Sequence, residues 1–151
     1  MDDIEKLRLL ATRVREAIEM RKHELSAACG PKSDRWEQFP KCCCAMASFL
    51  LAKVLRVNGF GQFNMVSGQR LNERTNDLEL HHWLEQDSVI VDITADQFPD
   101  SRDELIIVTT DNKWHNTFSI ERRVYVADYE KEKPQAYAAM FDIIAGSLEP
   151  K

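Results

Sequence analysis

The hydrophobic period of this chain changes once, at Asn58-Gly59, and that change narrows the folds open to it. Before it, Ile4, Leu7, Leu10, Val14, Ala17 and Ile18 recur at three- and four-residue spacing. This predicts an amphipathic helix from Ile4 to about Ala27, with Glu, Arg and Lys on its outer face. Cys29-Gly30-Pro31 reads as its stop. A polar loop leads through Trp36 to Phe39-Pro40, and a second helix, from about Cys43 to Val57, carries Phe49, Leu50, Val54 and Leu55. After Gly59 the segments Phe63–Val66, Glu79–Glu85, Ser88–Thr94, Leu105–Thr109 and Arg123–Ala127 have the β-branched and aromatic enrichment of strands. Pro134 opens a last helix reaching about Ile144, with Gly146 beyond it. The polar stretch from Gly68 to Asp77 reads as a solvated connection or a mobile loop beside a cleft. Helix, helix, several strands and helix is an α+β order, a mostly antiparallel sheet with packed helices.

A length of 151 residues predicts one domain, 1–151, with room for a sizeable core. The longest apolar runs, such as Ala45 to Ala52, are too short to span a bilayer, which excludes a helical membrane protein. Met1-Asp2-Asp3 opens no basic and then apolar leader, so the expected location is cytoplasmic. Net charge is −5 and the basic residues are scattered, which argues against nucleic acid or an anionic membrane as partner. Three of the four cysteines, Cys42, Cys43 and Cys44, are consecutive. Neighbouring cysteines fit relaxed disulfide geometry poorly, so they read as free thiols.

Two places concentrate chemistry. The run Cys42-Cys43-Cys44 puts a cysteine at the predicted start of the second helix, where unpaired backbone N–H groups and the helix dipole favour a thiolate. Cys44 and Cys43 are both candidates at that boundary. Downstream, Leu80-His81-His82-Trp83-Leu84-Glu85 and Val89-Ile90-Val91-Asp92-Ile93-Thr94 flank Gln86-Asp87, a plausible hairpin turn. A two-residue turn there sets Trp83 opposite Ile90 and His81 opposite Asp92, close enough to hydrogen-bond; His82 would point to the other face. A three-residue loop would bring His82 to Asp92 instead. A single strand histidine is ordinarily a packing residue. Cysteine, histidine and aspartate together supply nucleophile, base and orienting group in a chain order that one fold can assemble.

Phe39-Pro40, Cys44 and Ser48, with His81-His82-Trp83-Leu84-Glu85 and Val91-Asp92-Ile93-Thr94, resemble the Cys, His-x-Trp-x-Glu and Asp motifs of the transglutaminase-like, papain-like thiol enzymes. Asp92 to Phe98 further resembles a small bacterial branch of that group. The likeness spans roughly Trp36 to Trp114. It implies a papain/transglutaminase-like core with the nucleophile at a helix N-terminus, and it selects His81, two residues before the Trp. The branch pattern Phe-Pro-x-Gly-x-Cys-Gly-Asp-x-Ser places the nucleophile on Cys44. Here Cys42 and Ala45 replace its glycines and Met46 its aspartate.

The resemblance implies a thiol hydrolase or acyl-transferase acting on an amide or ester carbonyl of a peptide, protein or small amide, without a cofactor. Gln38 has the spacing of a papain-type oxyanion glutamine, and Gln97 is a second option. Trp36 and Trp83 are candidate cleft walls or core residues, and Trp114-His115 is a candidate substrate contact. Two competing readings stand beside this one. A zinc site would draw Cys42, Cys43 or Cys44 together with His81 or His82, against the usual ligand spacing, and the expectation is no metal. A silent interaction module would keep the fold and lose the activity, as the altered glycines and Met46 allow. Oligomeric state is not legible in these features.

Overall fold

A computed structural model describes residues 2–30, 35–101, 104–125 and 134–149. The helices are α1 (Asp3–Met20), α2 (Lys22–Cys29), α3 (Cys44–Val57) and α4 (Pro134–Leu148). The strands are β1 (Asn64–Leu71), β2 (Leu78–Gln86), β3 (Val89–Asp92), β4 (Ile107–Thr109) and β5 (Ser119–Tyr125). They form one antiparallel sheet in the order β4-β3-β2-β1-β5, so the architecture is α+β as the change of period predicts.

Several boundaries differ from expectation, each for a local reason. The first helix is two helices. Asp2 caps α1 by accepting from Glu5 N at 2.8 Å, and α1 ends at Arg21, whose backbone leaves the helical region at φ −113°, ψ 19°. Gly30 ends α2 with φ 129°, a conformation glycine adopts at little cost; Pro31 lies outside the described residues. Gly146 lies inside α4 rather than beyond it, where Arg21 donates to the neighbouring Ser147 Oγ and Arg13 to Leu148 O. The stretch from Gly68 is not wholly a loop. β1 continues to Leu71, and only 72–77 turn, closed by Asn72 N donating to Asp77 O at 2.8 Å. β4 is shorter than expected, and β5 begins at Ser119; the expected strand end at Ala127 lies outside the described residues.

Side chains alternate across the sheet, and the two faces bury different things. Met65, Leu84, Val91 and Val108 join the main core under α1, α3 and α4, with Phe49, Leu50 and Leu51 from α3. Val66, Trp83 and Ile90 face the other way, onto Phe98, Phe118 and Trp114 from the loops. Trp83 and Phe118 leave no room above β1: a Cβ on Gly68 would lie 2.8 Å from Phe118 Cβ. Arg70 covers this aromatic cluster, with its guanidinium 4.3 Å from the Phe118 ring centroid and ion pairs to Glu79 and Asp100.

Arg15 departs most from its sequence reading. It belongs to the polar series of α1 yet is buried. Its guanidinium donates to both carboxylate oxygens of Asp96, at 2.6 and 2.8 Å, and to the carbonyls of Ile93 and Leu105. α1 is thereby tied to the turn that follows β3. Arg15 is buried but Asp96 is partly exposed, so Arg15→Ala removes charge-assisted hydrogen bonds while water can reach the carboxylate left behind. The substitution is expected to cost about 2–3 kcal/mol, read from urea unfolding. A loss below about 1 kcal/mol would reduce the contact to an ordinary surface pair.

Candidate active site

The β2–β3 hairpin turns at Asp87-Ser88, both with positive φ (49° and 69°), not at Gln86-Asp87. Two left-handed residues in succession form the turn whose twist suits a two-residue hairpin. The register therefore pairs Gln86 with Val89, Glu85 with Ile90 and Leu84 with Val91, two residues away from the predicted pairing. A shift of two preserves which face each side chain occupies. His81 and Asp92 remain on one face but as diagonal neighbours, and His81 spans the extra distance with its far nitrogen, Nε2, 2.7 Å from Asp92 Oδ2.

Asp92 is 1% exposed and His81 0%. A carboxylate so enclosed requires donors on its oxygens. Thr94 N donates to Oδ1 at 3.0 Å, while Oδ2 lies 2.7 Å from both His81 Nε2 and His115 Nε2. Burial pushes the Asp92 carboxyl toward its neutral form, but the two imidazoles outweigh this and hold it well below the usual carboxylate range. His115 is buried too, in a short 3-10 turn (His115–Thr117), with its ring centroid 4.8 Å from that of Trp83.

Cys44 is the first residue of α3, one position past Cys43, the N-cap. Its Sγ lies 3.3 Å from His82 Nδ1. His81 turns Nε2 to Asp92, which leaves Nδ1, 3.5 Å from Gln97 Nε2, as its other nitrogen. Burial raises the Cys44 pKa, but the hydrogen bonds and charges of His81 and His82 prevail and bring it down to about 6. For His81, burial favours the neutral ring, and Asp92 and Cys44 reverse that, raising it to about 9. Between those values the pair favours thiolate and imidazolium. β3 last pairs β2 at Leu84 in this direction, which leaves the His81–His82 stretch beside α3, where Ser48 Oγ donates to His82 O, and beside Gln97.

The other candidates are placed as follows. Cys43 is buried, its thiol donates to Arg35 O at 2.8 Å, and burial and the adjacent thiols push it up to about 12, the opposite of an activated nucleophile. Cys42 is exposed with φ 66°, and its thiol donates to Gln38 Oε1 at 3.4 Å. Gln97 Nε2 donates to Thr94 O and lies 3.5 Å from His81 Nδ1, so Gln97 is the glutamine set against the His81 imidazole. Trp36 and Trp83 are both fully buried; neither is a wall of an open cleft. Trp83 lies beneath the imidazoles and donates Nε1 to Glu85. The contact of His82 with Cys44 and that of His115 with Asp92 were not legible in spacing, although Trp114-His115 stood out as a pair.

Among the described residues, the set whose ligand atoms approach within 4.8 Å of one another is His81, Asp92 and His115, not the cysteines of the zinc reading. Both nitrogens already face the same carboxylate oxygen at hydrogen-bond distance, and all three side chains are sealed from solvent, so they act as a hydrogen-bonded group. No protein-family model matches the chain, and neither a curated protein nor a solved structure shows significant similarity to it.

Two outcomes follow. With iodoacetamide, Cys44 should alkylate with a midpoint near pH 6 while Cys43 stays unlabelled until unfolding, as read by peptide mapping. Equal, sluggish labelling of both would remove the activated thiol. Cys42→Gly should stabilise by about 0.5–1 kcal/mol in urea titrations, because relief of the left-handed Cβ exceeds the chain entropy that glycine adds.

Proposed function

We propose that the protein is a thiol hydrolase or acyl-transferase acting on an amide or ester carbonyl, with Cys44 as nucleophile, His81 as proton carrier and Asp92 as its orienting carboxylate. The observation that carries this reading is the thiol at the start of α3, whose anion two imidazoles favour, one of them with its far nitrogen held by a buried carboxylate. Of the two histidines at Cys44, His81 is the one backed by Asp92 among the described contacts, which favours it over His82.

In the reaction, Cys44 Sγ⁻ attacks the carbonyl carbon, a C–S bond forms and the carbonyl π electrons move onto oxygen. The N–H of Cys44, at the first helical position, has no acceptor within α3 and suits that oxyanion. Gln97, beside His81, is the side-chain donor we assign to the same region, with Gln38 as the alternative. As the tetrahedral intermediate collapses, the imidazolium of His81 gives its proton to the departing amine or alcohol, leaving a thioester. Water or an acceptor amine then attacks the thioester, surrenders a proton to His81 and expels Cys44 as thiolate.

The papain/transglutaminase-like assignment of the core draws support from one backbone angle. Cys42 stands where the resembled motif has its first glycine, and its φ of 66° is the conformation glycine favours. The silent-module reading draws on Met46, where the motif has aspartate: its side chain is buried and its sulfur lies 3.8 Å from the Cys29 thiol. 4-Nitrophenyl acetate separates the two. The enzyme reading expects a burst of one acetyl group per chain, mapped to Cys44, absent in Cys44→Ala and slowed about 10²–10⁴-fold in His81→Ala. Its rate should rise through about pH 6 as Cys44 ionises and fall through about pH 9 as His81 loses its proton. Acetylation that tracks thiol exposure, with Cys42 ahead of Cys44, would sink it.

A further inference from the structure

We propose that His115 is a positioning residue of this site, whose Nε2–H locks the Asp92 oxygen that also receives His81 and so fixes the orientation and tautomer of the catalytic imidazole. This deepens the reading of Cys44 and His81 as nucleophile and base and rests on it.

A carboxylate held only by Thr94 N and His81 could turn about its Cβ–Cγ bond and follow the imidazole as it moves. His115 adds a third anchor, on Oδ2, arriving from a different part of the chain, 23 residues beyond Asp92. Both imidazoles reach Oδ2 through Nε2 at 2.7 Å, so each must carry its proton there when neutral. That leaves His81 Nδ1, 3.5 Å from Gln97 Nε2, unprotonated, the tautomer able to take a thiol proton. When His81 becomes a cation, the charge of Asp92 lies beside it with its oxygens already held by donors, so no proton needs to pass to the carboxylate.

His115 is itself held firmly. Its ring packs 4.8 Å from Trp83 and 4.8 Å from Trp114, centroid to centroid, and near-parallel to His81 at 6.3 Å. The ionisable groups around it are His81 on β2 and Asp92 on β3, both in its hydrogen-bonded group. Arg70 of β1 lies over Phe98, Trp114 and Phe118 and is paired with Glu79 and Asp100. A purely space-filling residue at this place would not need a donor aimed at Asp92.

His115→Phe keeps a ring and removes the donor; His115→Gln keeps an amide donor of similar reach. In the full chain, His115→Phe should move the midpoint of Cys44 alkylation upward by about one unit and so slow it about tenfold at about pH 5, below both midpoints, while His115→Gln stays within about twofold of the natural chain. Imidazole NMR should show two slowly exchanging Nε2–H protons in the natural chain; His115→Phe should lose one and displace that of His81. A folded His115→Phe variant with the natural pH profile and an unmoved His81 resonance would overturn the proposal and leave His115 as packing. If both variants fail to fold, the natural chain still decides: a His115 ring protonated on Nδ1 rather than Nε2 would overturn it. Should Cys44 prove unreactive in the natural chain, the nucleophile reading fails, while the resonances independently report whether His115 orders the Asp92–His81 pair.

Discussion

A carboxylate buried to 1% exposure is the constraint around which the rest of this structure is arranged. Desolvating an ionised Asp92 would cost several kcal/mol after relaxation if it were left alone. It is stabilised by three donors from three places: the backbone two residues on, an imidazole diagonal to it on β2, and an imidazole from the turn before β5. Each donor imposes geometry. The Thr94 contact bends the chain as it leaves β3, and the His81 contact depends on the hairpin register. The His115 contact requires the loop after β4 to fold back across the sheet, where Trp83, Phe98, Trp114 and Phe118 bury its surface. The aromatic cluster thus supplies the dry setting in which these hydrogen bonds are strong.

Behind that group stands a second buried charge. Arg15 binds Asp96 and the carbonyl of Ile93, so the turn that carries Thr94 and Gln97 is gripped from the helix side of the sheet. The site is accordingly built from both layers. α3 brings Cys44 from the layer of helices, and the imidazole and carboxylate belong to the aromatic face. They meet at the stretch of β2 that β3 has left unpaired. A sheet complete at that edge would separate thiol from imidazole by a strand.

Much of this was legible because periodicity reports faces better than it reports partners. A helix starting at about Cys43 followed from helix signals, one residue before the observed start at Cys44, and the α+β order from the change at Asn58-Gly59. The hairpin register was misread by two residues, since Asp87-Ser88 carries no glycine to mark a left-handed turn, yet His81 and Asp92 still shared a face because the strand period is two. An error of one would have exchanged His81 for His82. Arg15 was hidden because a buried arginine and a solvated one occupy the same polar series along a helix. Only the partners, Asp96 and two carbonyls distant in sequence, distinguish them. His115 was singled out as a substrate contact, but its partner was hidden for a related reason: nothing local marks a donor whose acceptor is 23 residues away.

The three consecutive cysteines show most directly how backbone placement, rather than residue type, decides reactivity. Cys42 is exposed, in a left-handed conformation, with its thiol turned to Gln38. Cys43, the N-cap, turns inward to a carbonyl, where burial keeps it a thiol. Cys44, one residue further, enters the helix with its Sγ 3.3 Å from His82 Nδ1, and the imidazoles of His81 and His82 favour its anion despite burial. The left-handed residue before them makes this divergence possible, because it redirects the chain so that the third thiol, and not the second, faces the sheet. A motif that places glycine at that position provides the same redirection without a Cβ penalty. With cysteine there, the chain retains the turn at a local cost, and the anion-stabilising contacts at Cys44 depend on the turn rather than on the side chain that makes it.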